Sequence, residues 1–485
     1  MYDQLTNYKS TNYQLEVNML TVLLIALPML AALLIAFVND RETAHKIAMA
    51  AAFAELGAFM PALFGLNNWD TAFRCEWVPA LGIEFNVNMT GVSLLMVFLT
   101  VALVPLILAT ANRSDFDNRF FALAMMMQGA LVGVFTAYDG FLFYIFWELA
   151  LIPIWFICLI WGEEGRQRIT LKFFIYTLGG SLFMLLGLIT LYLNTPGTHS
   201  FDWNALRMAG ATLSPMLQNW VFWSIFVAFA IKMPIFPFHT WQPDTYTNAP
   251  AQGTMLLSGI MLKMGVYGAM VWLLPMVPAA AEQWKPLVVV LCVIGVVYGS
   301  IIALQQTDLK RLAAYSSFAH VGLIGAGVFA HTHTSYDGAV MQMLAHGFNV
   351  VALFYIIDIV EQKTKTRDIN ALGGIAKTDP VFATLAFIVV LGSVAMPLTN
   401  AFVGEFMLLL GVFGVYPWAG VIAGLTIILG AIYMLKLYRN VFFGEASAET
   451  AAITFTDGNV VFVLGTIAFL IVFMGVAPKI FMDLI

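Results

Sequence analysis

Four ionisable residues stand alone in long apolar stretches of this sequence: Glu148, Lys232, Lys263 and Glu405. The nearest formal charges on either side of Lys263, for example, are 19 positions away. An ionisable side chain at the centre of a membrane costs roughly 3 kcal/mol on insertion scales, so such residues are rare and usually serve transport. A buried lysine also releases its proton more readily than an exposed one, which suits a proton carrier. The four residues therefore predict that the chain moves charge across a membrane.

Each of these residues also has a structural alternative. Glu148 and Lys232 have opposite sign, so they could form a static ion pair instead of a switchable one. Lys232 lies close to a proline, where its amine could extend to the membrane surface. Lys263 lies midway through its apolar stretch, too far from either end for that explanation. Glu405 has no opposite charge in its own stretch with which to form a structural pair.

Two histidines lie in apolar stretches further along the chain, His320 and His346. A neutral imidazole can pass a proton between its two ring nitrogens, so both are relay candidates. A lone membrane histidine is equally often a hydrogen-bonded core residue. A haem held by two histidines is a third alternative, which no accompanying redox motif supports.

The composition excludes most soluble classes of protein. Of 485 residues, 61% are hydrophobic and only 10% are charged, against about 25% charged in a soluble domain. There is no basic patch of the kind that binds nucleic acid. The three cysteines are far apart and form no CxxC pair, and neither GxGxxG nor a Walker loop occurs. We therefore predict a polytopic, all-α membrane protein with no cofactor of its own.

Apolar stretches of about 18 residues or more predict membrane-spanning helices. About fourteen such spans are expected, at 17–38, 43–66, 88–111, 118–137, 139–161, 168–194, 217–242, 250–277, 284–305, 309–331, 335–361, 380–415, 418–442 and 457–483. The segment NNWDTAFRCEWVPALGIEFNVN is expected to form a small hairpin outside the membrane, and FDWNALRM a short interfacial helix.

The basic residues orient these spans. Fifteen of the 22 lysines and arginines, Arg113 among them, fall in odd-numbered loops, and five fall on the other side. The positive-inside rule then places the odd loops in the cytoplasm and both termini outside. Residues 1–18 are polar and lack a cleavable signal, so they are expected to form an N-terminal tail.

Two predicted spans are interrupted by proline. KMPIFPFHTWQP begins at Lys232 and contains Pro234 and Pro237, and AMPLTNAFVGEF contains Pro397 and reaches Glu405. Proline removes a backbone donor and clashes with the preceding turn, so both helices should be broken. Interrupted spans mark ion or substrate sites in membrane transporters. Each break lies beside one of the lone charges, which strengthens both signals.

Several segments closely resemble the antiporter-like subunit M family of respiratory complex I, the proton-pumping NADH:quinone oxidoreductase. They are FYIFWELALIP, FAIKMPIFPFHTWQPDTYTNAP, GTMLLSGIMLKMGVYG, DLKRLAAYSSFAHVGLI and NAFVGEFMLLLG, and the likeness extends over roughly residues 19–485. The resemblance implies fourteen helices containing two inverted five-helix repeats, each with one broken helix. The expected divisions are 1–18, 19–117 (helices 1–3), 118–277 (first repeat, helices 4–8), 284–442 (second repeat, helices 9–13) and 443–485 (a loop and helix 14).

The resemblance also assigns roles along one proton relay. Glu148 and Lys232 resemble the ion pair of the first half-channel, and Lys263 the connecting lysine. His320 resembles a relay residue in the second half, Glu405 the terminal group, and His346 a further member of the axis. FMN, iron–sulfur clusters and quinone are then expected in partner subunits. The partners implied are the other membrane-arm subunits, including the antiporter-like neighbours L and N, in a bacterial cytoplasmic membrane.

The sequence thus favours a proton-translocating subunit of NADH:quinone oxidoreductase. The main alternative is a subunit of a multi-subunit sodium/proton antiporter or of a membrane-bound hydrogenase, since Thr399, Asn400 and Glu405 could supply oxygen ligands to sodium. A stand-alone solute transporter and a purely structural subunit are further alternatives. The first would function when expressed alone, and the second would not need titratable groups in its interior.

Overall fold

The computed structural model describes residues 19–65, 71–111, 114–451 and 453–485. The predicted tail at 1–18 and Arg113 lie outside these residues. The part of the chain before the first lone charge forms the helices α1 (Leu20–Ala36), α2 (Arg41–Leu63), α3 (Val92–Thr110) and α4 (Asn118–Thr136). Between α2 and α3, strand β1 (Phe73–Val78) pairs antiparallel with strand β2 (Ile83–Val87), which confirms the predicted hairpin.

The middle of the chain carries the first three lone charges. Its helices are α5 (Gly140–Trp161), α6 (Arg166–Leu193), α7 (Trp203–Thr212), α8 (Pro215–Lys232), α9 (Gln242–Asn248) and α10 (Ala251–Met276). The short α7 confirms the predicted helix at FDWNALRM. The break after Lys232 is also confirmed, because α8 ends at that residue and α9 begins only at Gln242.

The last part of the chain contains the second broken helix. Its helices are α11 (Pro278–Gln305), α12 (Leu309–Ala330), α13 (His333–Thr364), α14 (Ile375–Thr378), α15 (Pro380–Ser393), α16 (Asn400–Val415), α17 (Pro417–Phe442), α18 (Gly458–Val476) and α19 (Lys479–Met482). In the break between α15 and α16, Ala395 and Leu398 have φ angles of 52° and 75°. Non-glycine residues rarely adopt such angles, and they cluster at functional sites.

Aspartate side chains begin many of these helices. Asp139, for example, precedes α5 and accepts hydrogen bonds from the backbone N–H groups of Phe141 and Leu142. The same capping is made by Asp40, Asp117, Asp202, Asp308, Asp379 and Asp457. Such caps satisfy the donors that a helix start leaves free, so short polar loops suffice to start the next span.

Eleven helices in the described part of the chain are long and apolar enough to cross a membrane. Three shorter apolar helices, α1, α15 and α16, lie at other predicted spans. The all-α, multi-pass fold is therefore confirmed, whereas the total of fourteen, the inverted repeats and the division at 118–277 and 284–442 stay predictions. Helices α10, α12 and α13 are almost entirely buried among the others. They form the centre of the bundle.

Ion pairs join the two halves of the chain at the end of the bundle that carries the basic loops. Glu163, which follows α5, pairs with Lys310 at the start of α12, with 3.1 Å between Oε1 and Nζ. Glu163 also pairs with Arg367, which follows α13, and Arg367 Nε lies 3.0 Å from Asp308 Oδ2. These contacts fix the loops of the two halves relative to each other.

Candidate functional site

Lys263 lies at the centre of the bundle, in a helix whose hydrogen bonding is irregular on both sides of it. Residues Leu257–Met261 and Ala269–Leu273 form π-helical turns within α10. The backbone N–H of Leu262, for example, donates to the Leu257 carbonyl five residues earlier. Such turns are frequent at functional sites. One carbonyl of the first turn, that of Ser258, accepts a hydrogen bond from Lys263 Nζ at 2.6 Å.

The other partner of Lys263 is His346. Lys263 Nζ lies 2.8 Å from His346 Nδ1, and His346 Nε2 lies 3.0 Å from Ser317 Oγ. An ammonium group can only donate, so His346 accepts through Nδ1 and carries its hydrogen on Nε2 when Lys263 is protonated. The imidazole therefore lies in position to take a proton on one nitrogen and release one from the other. His346, for which the sequence left both roles open, is the direct neighbour of Lys263.

His320 and Glu405 form the next pair. His320 Nδ1 lies 2.8 Å from Glu405 Oε1, at ion-pair distance but out of line for a ring N–H hydrogen bond. Gln342 Nε2 donates to the same carboxylate oxygen at 3.2 Å. Glu405 thus has partners from α12 and α13, although its own helix supplies none. Sequence analysis missed Gln342, because a glutamine in an apolar stretch carries no formal charge.

A small cavity lies between His346 and His320. Its volume is about 30 Å³, and its wall includes Ser317, Gln342 and Asn349 together with both imidazoles. The two imidazole centroids are 6.4 Å apart. That volume is enough for a water molecule, and the polar wall offers it several partners. Lys263, His346, His320 and Glu405 therefore form one polar chain from α10 to α16, with the cavity between its two histidines.

Lys232 is buried beside a close approach of α8 and α10. A Cβ atom added to Gly265 would lie 2.8 Å from both the Met233 nitrogen and the Phe229 oxygen, so only glycine allows the two backbones to come this close. Lys232 Nζ has no hydrogen-bond partner and lies 5.4 Å from the centroid of the Trp147 ring. A cation can be stabilised by the face of an indole at this distance.

Glu148 differs from the other predicted residues. Lys232, Lys263, His320, His346 and Glu405 are at most 7% exposed, whereas Glu148 is half-buried at the bundle surface. One of its oxygens, Oε1, is buried without a hydrogen-bond partner. Among the described residues, no ion pair within 4.0 Å joins Glu148 to Lys232. The ion pair predicted from the sequence, whether static or switchable, is therefore not formed here.

The three residues predicted as oxygen ligands for sodium all have partners within the protein. Thr399 Oγ1 donates to the Met396 carbonyl at 2.7 Å, and Asn400 Oδ1 accepts from the backbone of Ala401 at 2.8 Å. The third candidate, Glu405, faces His320. In the described part of the chain, no cluster of three or more histidine, cysteine, aspartate or glutamate residues could hold a metal ion.

Comparison with known proteins agrees with this arrangement. The family model described as NADH:quinone oxidoreductase/Mrp antiporter, transmembrane region, matches residues 137–430. NADH-quinone oxidoreductase subunit M of Rickettsia typhi (strain ATCC VR-144 / Wilmington) is 38% identical over 435 residues, 87% of each chain. This chain belongs to the NADH:quinone oxidoreductase/Mrp antiporter family.

Solved structures extend the likeness to the fold. A chain of respiratory complex I from Thermus thermophilus with bound NADH is 28% identical and covers 96% of this chain and 98% of its own, with a TM-score of 0.87. A chain of the Mrp complex from Dietzia sp. DQ12-45-1b is 20% identical and covers 95% of this chain and 50% of its own, with a TM-score of 0.82. The second likeness concerns the fold alone.

Proposed function

We propose that this chain is a proton-translocating membrane-arm subunit of an NADH:quinone oxidoreductase, of the subunit M type. The observation that carries the proposal is the polar chain from Lys263 through His346 and His320 to Glu405, with a polar cavity between the two histidines. The likeness to relatives named NADH-quinone oxidoreductase subunit M, one of them 38% identical, supports this type of complex. FMN, iron–sulfur clusters and quinone would then belong to partner subunits, and this chain would carry no redox centre.

The direction follows from the loops. By the positive-inside rule, the end of the bundle that carries the basic loops lies in the cytoplasm, and both termini lie outside. Protons would pass from the cytoplasm to Lys263 and leave from Glu405 on the outer side. The membrane is a bacterial cytoplasmic membrane, and the neighbours would include the antiporter-like subunits L and N.

Energy would arrive as a change of charge at Glu148. This carboxylate lies at the bundle surface with one unpaired oxygen, so a neighbouring subunit can move it towards or away from Lys232. A Lys232 ammonium that loses its counter-charge leaves an unbalanced positive charge in an apolar interior. Its field would act on Lys263 across the tight contact at Gly265, and the Lys263 proton would move to His346 Nδ1, while Lys232 keeps its own proton.

Proton transport is favoured over sodium transport by the chemistry of the chain of groups. Protons can bind to the side-chain nitrogens of Lys263, His346 and His320. These nitrogens are poor ligands for sodium, a hard cation that is bound by several oxygen atoms. Glu405, the charged member of the predicted sodium set, lies at ion-pair distance from His320.

Lys263→Met tests the proposal in the assembled complex, reconstituted into vesicles. Methionine fills a similar volume without a titratable group, so protons pumped per electron should fall. Lys46→Met is the matched control, because Lys46 is an exposed lysine that pairs with Glu42 on the surface of α2. Unchanged pumping in the Lys263 variant would refute the relay.

A further inference from the structure

A second, larger cavity opens at the end of the bundle that carries the basic loops. Its volume is about 730 Å³, and it lies between the ends of α2, α3, α13 and α18. The wall includes Thr110, Tyr355, Asp358, Gln362 and Asp457. A cavity of this size holds many water molecules.

Asp358 forms the inner wall of this cavity and is the most buried carboxylate in it. It is 8% exposed, and Gln362 Nε2 donates to its Oδ1 atom at 3.1 Å. Its other oxygen, Oδ2, accepts a hydrogen bond at 3.1 Å from Gln252 Nε2. The carboxylate therefore has one side in the cavity and the other against α10, the helix that contains Lys263.

Polar groups continue from Gln252 along α10. Gln252 Nε2 also donates to Thr110 Oγ1 at 3.3 Å. Two residues further along α10, the Thr254 carbonyl accepts from Ser258 Oγ at 2.6 Å, and the Ser258 carbonyl accepts from Lys263 Nζ at 2.6 Å. Gln252 and Lys263 are separated by about 16 Å at 1.5 Å per helical residue.

We propose that Asp358 is the proton-uptake residue of this chain, which takes protons from the cavity and supplies them to Lys263. The inference rests on the proposed function and adds a residue and an entry route to it. The Asp358 carboxylate accepts a proton from cavity water and becomes a carboxylic acid. It then releases that proton towards α10, and the neutral Lys263 amine binds it after Lys263 has protonated His346. The carboxylate is regenerated.

Asp358→Asn tests the uptake step in the assembled complex. Asparagine has the same shape but cannot titrate, and general acid–base groups contribute about 10²–10⁴-fold to a transfer rate. We therefore expect the rate of NADH-driven proton pumping to fall tenfold or more, and Asp358→Glu to restore most of it. Asp457→Asn is the matched control, because Asp457 lies in the same cavity and asparagine also caps a helix. Equal rates in the two asparagine variants would overturn the proposal.

Gln252→Met keeps the test valid if the asparagine variant does not assemble. It keeps the side-chain volume and removes the amide between Asp358 and α10, so pumping should slow while Asp358 remains titratable. Pumping at the rate of the unsubstituted complex would contradict the route along α10.

Thiol labelling separates this inference from the proposed function. Asp358→Cys in a Cys75→Ser background should react with a membrane-impermeant maleimide only from the side where NADH is oxidised. Cys75 is exposed, whereas Cys158 and Cys292 are buried. Labelling from the opposite side, or none, overturns the entry route and leaves the proposed function standing. A Lys263→Met complex that pumps normally overturns the proposed function whatever the labelling result.

Discussion

Replacing His346 by leucine removes the group that connects Lys263 to the second half of the polar chain. In the structure, His346 contacts Lys263 Nζ at 2.8 Å and Ser317 Oγ at 3.0 Å. Leucine fills much of the same space but neither accepts nor donates a proton. The Lys263 amine then keeps only the Ser258 carbonyl as a hydrogen-bond partner.

The size of the effect follows from the bond that is lost. A hydrogen bond to a charged group contributes about 1.5–3 kcal/mol, and about 1.4 kcal/mol corresponds to a factor of ten. Proton transfer beyond Lys263 should therefore be at least about ten- to one-hundredfold slower. Ser317→Ala removes a bond between neutral groups, worth about 1 kcal/mol, so its effect should be about fivefold.

The assay is the complex reconstituted into vesicles, with NADH oxidation and proton uptake recorded together. Assembly on a native gel and thermal stability show whether each variant is folded. The reasoning is refuted if an assembled His346→Leu complex pumps at the unsubstituted rate. It also fails if Ser317→Ala is the more severe of the two, because the order of the two bonds would then be wrong.

The remaining predictions concern packing and pH. Gly265→Ala places a Cβ atom 2.8 Å from the Met233 nitrogen. This overpacking should cost about 1–3 kcal/mol and lower both the thermal stability and the pumping rate. Gly465→Ala is the control and should change neither, because its added Cβ atom meets nothing within 4 Å. Burial raises the pKa of Asp139, at the start of α5, from 3.8 to about 6, against the opposing hydrogen bonds from backbone N–H groups. The folded state therefore holds the extra proton, and this stabilisation of about 3 kcal/mol is present below pH 3.8 and lost as the pH rises through about 6. Thermal unfolding of the complex between pH 4 and 7 should show this loss, and Asp139→Asn should abolish it.

Some features of the site follow from the sequence because their signal is one-dimensional. A lysine or glutamate in an apolar stretch is costly wherever the helices pack, so Lys232, Lys263 and Glu405 stand out before any fold is known. The two broken helices are equally visible, because proline removes a backbone donor whatever surrounds it. Both breaks lie where the prolines predict them.

Other features depend on how the helices pack, and no local pattern predicts them. The contact between Lys263 and His346 joins residues 83 positions apart, and the contact of Gln342 with Glu405 joins residues 63 positions apart. Which residues meet across such long sequence separations is decided by the register between helices, not by residue type. The π-helical turns around Lys263 are likewise set by packing.

The sequence by itself determined which residues carry charge into the membrane and where the backbone must break, since desolvation and the missing proline donor act on each residue separately. Only the tertiary structure decided the neighbours of those residues. It put His346 beside Lys263, left Glu148 half-buried with one oxygen lacking a hydrogen-bond partner, and connected Asp358 to the helix of Lys263. Each of these results depends on the distance between two helices, which a sequence read along one chain does not contain.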